Sequence, residues 1–92
     1  MEEHCYIILY DLVAPNRDYN GLYDAIKKYT FWGRLTESAW AITTNKSTVV
    51  IRDELLQYID KDDRLIVIQS GRNAAWSKVL ASDNWVKQNI IK

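Results

Sequence analysis

The sequence predicts an α+β fold: an antiparallel sheet with two helices on one face, followed by a C-terminal extension. Two observations lead there. Two nearly continuous apolar runs, CYIILYD at 5–11 and RLIVIQ at 64–69, have the length and β-branched content of covered strands. Between them, apolar residues recur twice at helical spacing, on either side of a segment that alternates as extended chain does.

The first strand, 5–11, ends in the carboxylate of Asp11. Residues 14–20, APNRDYN, concentrate turn formers, with Asp18 and Asn20 as candidate caps for the helix that follows. Leu22, Ile26 and Tyr29 form its apolar stripe, and Lys27 and Lys28 are expected in its last turn, where cations complement the helix dipole. In FWGRLTESAWAITT, residues 31–44, Gly33 and the polar Thr36-Glu37-Ser38 divide a short strand from a longer one. Ser47 or Thr48 caps a second helix through Ile51, Leu55 and Tyr58 or Ile59, which Lys61-Asp62-Asp63 ends. The 64–69 run then reads as a second central strand beside 5–11. Beyond the turn at Gly71 and Asn73, residues 74–76 read as a short edge strand, and Ser82 or Asp83 caps a last helix with Val86 and Ile90 inward.

The order strand, helix, strand pair, helix, strand is the split βαβ arrangement, βαββαβ, of a ferredoxin-like domain. The 92 residues are expected to form one such domain, 1–92, with a core at about 5–70 and a C-terminal strand and helix extension at 71–92. Two helices on one face leave the other face of the sheet bare. The reading therefore expects a homodimer that buries this face, with residues 70–92 reaching onto the partner. Four tryptophans and six tyrosines, many for so small an interior, point the same way.

Composition narrows the function classes. Hydrophobic residues make up 48% of the chain, which fits a folded globule, and no apolar run is long enough to span a membrane. The acidic start, MEEHC, offers no secretory signal, and the lone Cys5 reads as a reduced, buried strand residue, so a cytoplasmic location is expected. Twelve lysines and arginines balance twelve aspartates and glutamates, which argues mildly against a dedicated nucleic-acid binder but leaves room for a local basic face.

Asp11 is the sharpest candidate site. A carboxylate at the mouth of an apolar strand is either a ligand or a residue that bonds the following turn. One carboxylate makes a poor magnesium site, but two-fold symmetry supplies a second. His4 is the only histidine, Cys5 has no evident partner base, and Ser38 and Ser70 lack any triad context. Lys27, Lys28, Arg34 and Arg72 form a candidate basic rim, with Trp32 or Trp40 to stack on bases. The bland alternative is lysines at a helix end and aromatics packed in the core.

Tyr10-Asp11-Leu12 closing the first strand, the segment Gly33-Arg34-Leu35-Thr36-Glu37-Ser38-Ala39-Trp40, and the helix leading into Asp62-Asp63-Arg64-Leu65-Ile66-Val67-Ile68 together resemble the CRISPR-associated protein-two superfamily. Ala74-Ala75-Trp76 and Trp85 extend the likeness to a small orphan group labelled SinR-like, although no helix-turn-helix pattern is present. The resemblance implies a ferredoxin-like homodimer in which the first-strand aspartates face each other. They would hold Mg2+ or Mn2+ at the dimer interface for phosphodiester cleavage of RNA or DNA. Other members bridge DNA without cutting it, and the related virulence-associated protein D toxins cut RNA. On this likeness Asp11 is both the catalytic and the metal-binding candidate; the nucleic-acid-binding candidates, Arg17, Lys27, Lys28 and Arg34, rest on the residues themselves. The arginine pair that follows the aspartate in that family is reduced here to Arg17, which puts DNA bridging in doubt. Two functions follow: a stand-alone, nucleic-acid-handling homodimer, with Asp11 as its nuclease centre, or a non-catalytic dimeric module with a protein partner and a structural Asp11.

Overall fold

A computed structural model describes residues 2–14 and 18–91. The chain runs β1 (His4–Asp11), α1 (Asn20–Ile26), β2 (Phe31–Thr36), β3 (Ala39–Thr44), α2 (Thr48–Leu56), β4 (Arg64–Gln69) and α3 (Asp83–Asn89). The four strands form one antiparallel sheet in the order β2-β3-β1-β4.

The sequence patterning explains the sheet's two faces. On β1, Tyr6, Ile8 and Tyr10 point one way and Cys5, Ile7 and Leu9 the other, as strand alternation requires. The first set packs with Trp40 and Ile42 of β3 beneath Leu22 and Ile26 of α1 and Ile51 and Leu55 of α2, forming the main core. Ser47 caps α2, accepting a bond from the Val50 amide at 3.2 Å. At α1, Tyr19 is the cap residue and uses no side-chain bond; Asp18 instead accepts from the Asn20 amide at 2.8 Å. This helix ends at Ile26, so Lys27 is its C-cap and Lys28 lies beyond it, in a tight turn closed by Lys28 and Tyr29 amides on the carbonyls of Ala25 and Ile26.

β1 and β4 are neighbours, but only β1 is central; β4 is the edge strand. Its apolar run reflects burial on one side alone: Leu65 and Val67 pack against the core, while Ile66 and Ile68 are exposed. The second central strand is β3, every residue of which is buried, including Thr43 and Thr44.

The face opposite α1 and α2 is covered in part by the C-terminal segment of the same chain. Val86 and Ile90 pack with Cys5 and Ala41, flanked by Trp76, Val79 and Trp85. Thr43 Oγ1 meets Asn89 Oδ1 at 3.4 Å, and the Leu80 amide donates to the Leu35 carbonyl at 3.0 Å. The expected reach of residues 70–92 onto a partner is thus corrected. Gly33 supplies the physical reason: a Cβ there would lie 2.9 Å from the Trp85 ring, so its absence makes the seat for that indole. Residues 74–76 form no strand; Trp76 instead donates from Nε1 to Asp83 Oδ1 at 3.0 Å, tying the segment to α3. Among the described residues no helix is long and apolar enough to cross a membrane.

Candidate functional site

Asp11 is the last residue of β1 and lies in register with Arg64, the first residue of β4. By alternation from Leu9, both side chains rise from the face opposite α1 and α2. Arg64 Nη1 donates to Asp11 Oδ2 at 2.7 Å, with the two side chains 75% and 62% exposed. An ion pair so open to water contributes at most about 1 kcal/mol. Its significance is local: the guanidinium already occupies the carboxylate.

The turn after Asp11 is held by a different carboxylate. Asp63 Oδ1 accepts from the Val13 amide at 2.7 Å, and Asp63 Oδ2 accepts from the Tyr19 hydroxyl and the Asp60 amide, each at 2.7 Å. One side chain thereby fastens the β1–α1 loop, the start of α1 and the α2–β4 turn. Burial, and after it the bond to Asp63, pushes the Tyr19 hydroxyl pKa up, so Tyr19 remains a donor.

At the end of the sheet where β1 finishes and the β2–β3 hairpin turns, a groove of about 870 Å³ opens, lined by Tyr10, Asp11, Tyr23, Arg34, Ser38 and Leu80 among others. From Tyr23 and Arg34 on its wall, an aromatic stack threaded by cations runs back through Trp40 to Trp32. Tyr23 lies on Trp40 at 6.1 Å and 25°, and Trp32 meets Trp40 at 5.8 Å. The Arg34 guanidinium sits 4.9 Å from the Tyr23 ring and 5.0 Å from Trp40, with Nη2 donating to the Glu37 carbonyl at 2.7 Å. Lys27 Nζ lies 5.4 Å from the exposed Trp32 ring. Tyr10 donates to the same Glu37 carbonyl at 3.0 Å and accepts from Trp40 Nε1 at 2.9 Å. Burial raises its pKa, which keeps the hydroxyl protonated for that role.

The candidates from the sequence are therefore partly brought together. Asp11 and Arg34 line one groove, and Lys27 joins Arg34 through the Trp32–Trp40 pair. Lys28 faces a separate cavity of about 280 Å³ beside Tyr29, Lys46 and Glu54. Arg17 lies outside the described residues. Trp40 is a buried core residue, whereas Trp32 is the surface member of the pair.

Three participants have only a faint sequence signal. Tyr23 falls beside the apolar stripe of α1, Asp63 reads as a helix stop, and Arg64 reads as the polar start of a strand. Asp11 is engaged by Arg64, and the described residues contain no cluster of three or more His, Cys, Asp or Glu side chains able to hold a metal. No family model matches the chain, and no solved structure matches it.

Proposed function

We propose that this chain is a ferredoxin-like, stand-alone relative of the CRISPR-associated protein-two superfamily, working as a homodimer that handles nucleic acid. The element order and the sheet order β2-β3-β1-β4 support the ferredoxin-like part. The functional part rests on the cation–aromatic band of Lys27, Trp32, Arg34 and Tyr23 beside the groove. Stacking on exposed rings contributes about 1–3 kcal/mol per base and tolerates any sequence, because every base has a π-face. Nearby cations add phosphate attraction that a balanced total charge does not forbid. The substrate class favoured is single-stranded RNA or DNA, whose bases are free to stack.

Binding without cleavage is the simpler form of this function. For Asp11 to become a metal ligand, its carboxylate, engaged by Arg64 at Oδ2, must meet a second carboxylate from another subunit. The Asp11–Arg64 pair therefore favours a second reading, a non-catalytic protein-interaction module with Asp11 structural.

Fluorescence anisotropy with labelled single-stranded RNA, single-stranded DNA and duplex DNA, over a salt series, separates the two. Nucleic-acid handling requires binding to at least one single strand that weakens about tenfold or more in Trp32→Ala and in Lys27→Ala. Absence of binding to all three leaves the protein-interaction module. A parallel incubation with Mg2+ or Mn2+ tests cleavage: products formed by the wild type and lost in Asp11→Asn would restore the nuclease assignment.

A further inference from the structure

We infer that the free edge of β4 is a two-fold seam, pairing antiparallel with β4 of a second copy about Val67. The inference rests on the self-association proposed above, independently of nucleic-acid binding, and gives it a contact surface other than the aspartate-facing one that the resemblance implies.

Hydrogen-bond parity defines the edge. The Ser70 amide donates to the Cys5 carbonyl at 2.8 Å, which makes Cys5 and Ser70 a hydrogen-bonded pair in the β1–β4 register. Such pairs alternate along an antiparallel ladder, so Ser70, Ile68, Ile66 and Arg64 turn their backbone groups towards β1. The Tyr10 amide bonding to the Ser38 carbonyl at 3.1 Å gives the same parity from the other side of β1. Leu65, Val67 and Gln69 consequently direct their N–H and C=O groups outward, away from the sheet.

Nothing guards this edge in the usual ways. The strand RLIVIQ has no proline and no lysine, its one charge sits at its first residue, and its register with β1 is unbroken from Arg64 to Gln69. The opposite edge, β2, is engaged by the Leu80 amide on the Leu35 carbonyl. Beside β4, on the face that α3 leaves open, Ile66, Ile68 and Leu9 are 53%, 44% and 38% exposed.

Several registers of a second β4 suit this edge, and the one centred on Val67 uses it most fully, pairing all three outward residues within the strand. Opposite residues must share a face, and outward-bonding residues must meet one another. Centring on Val67 satisfies both: Val67 pairs with Val67 of the other copy, and Leu65 with Gln69. Each pair exchanges two N–H···O bonds, about six in all. Ile66 then lies across from Ile68 at close, non-hydrogen-bonded positions, and the exposed apolar strips of the two copies merge. The charges agree as well. Asp62 precedes the strand and Arg72 follows it, both exposed, so antiparallel pairing brings the acidic end of one copy to the basic end of the other. The two Arg64 residues stay roughly 20 Å apart along the seam, at about 3.3 Å per residue. The Asp11 carboxylates beside them are equally separated, so this dimer does not pair them.

Sedimentation velocity of the wild type and two double variants tests the seam, with circular dichroism confirming that each is folded. Ile66→Lys with Ile68→Lys sets like charges across both central positions and should weaken dimerisation at least about a hundredfold. Ile66→Lys with Ile68→Glu sets opposite charges there and should remain dimeric. In the wild type, amide exchange at Leu65, Val67 and Gln69 should slow as concentration rises. A wild-type monomer at micromolar concentration would overturn the seam and the homodimer together. A wild-type dimer indifferent to the lysine pair would overturn the seam and leave the homodimer standing. Loss of dimer in both variants would overturn the Val67-centred register.

Discussion

Glu54 binds two partners at once, and its titration should show in the acid limb of stability. Lys46 Nζ donates to Oε2 at 2.7 Å and the Tyr29 hydroxyl donates to Oε1 at 2.6 Å. Lys46 first, and then Tyr29, hold the Glu54 pKa below its ordinary value. A lowered folded pKa contributes stability that is complete above the unfolded value, about 4.3, and is lost as pH falls through the folded one. Glu54→Gln should therefore flatten the Tm–pH curve on the acid side of about pH 4.3, with little slope change near neutrality. Tyr29 acts at the other extreme. Burial and then Glu54 raise its pKa, so its share is lost as pH climbs beyond the ordinary tyrosine range of about 10. Asp63 is the second carboxylate with a fastening role. Asp63→Ala should release Val13 and Tyr19 together, raising amide exchange in the β1–α1 loop while the central strands stay protected. The same loss should be absent in Asp11→Ala, since Asp11 contacts Arg64 and not the turn. The sequence shows two carboxylates near strand ends without saying which one the turn will use. That choice depends on a meeting between residues 13 and 63, which local spacing does not encode.

Among the elements, those with their own periodicity and caps were legible. Ser47 and Ser82 cap α2 and α3, and Leu22, Ile26, Ile51 and Leu55 are the buried helix residues that their spacing announces. Ser47→Ala should cost about 1 kcal/mol in denaturant unfolding, by leaving the Val50 amide without its acceptor. The rank of the strands was not legible. Two long apolar runs suggest two central strands, yet the centre belongs to β1 and β3. β3 reaches complete burial with alanines and threonines, small enough to lie under the second layer, whereas β4 spends half its apolar residues on an open surface. Nor does a one-residue signal at Gly33 reveal that an indole from α3 will rest there. Gly33→Val should drive Trp85 off the sheet, lower the melting temperature and expose Trp85 to fluorescence quenchers, while α1 and α2 keep their contacts.

For the whole molecule, the consequence is a sheet with two unequal covers. The first layer, α1 and α2, is fastened by a continuous apolar core; the second consists of a short helix and an irregular approach to it. The cation–aromatic band lies on the side of the first layer, the groove beside it opens at the end of the sheet, and the free β4 edge borders the part that the second layer leaves open. The proposed nucleic-acid binding and the proposed self-association thus fall in different regions. Ile66→Lys with Ile68→Lys should leave single-strand affinity per subunit within about threefold, whereas Trp32→Ala should weaken that affinity without altering sedimentation. Neither surface was legible as a unit from the sequence, because each joins residues that only the pairing of β1 with β3 and β4 makes neighbours.

The seat of Trp85 on Gly33 also sets a schedule. A ribosome delivers all four strands before it delivers α3, at about 5–20 residues per second. Throughout that interval Cys5, Ile7, Leu35 and Ala41 form an open apolar shelf on a nascent chain whose other side can already condense. The final layer therefore works as a late closure, contributed by the part of the domain with the least local structure to guide it. A chain truncated before α3 should keep this shelf open, and chaperone capture should favour it over the full chain.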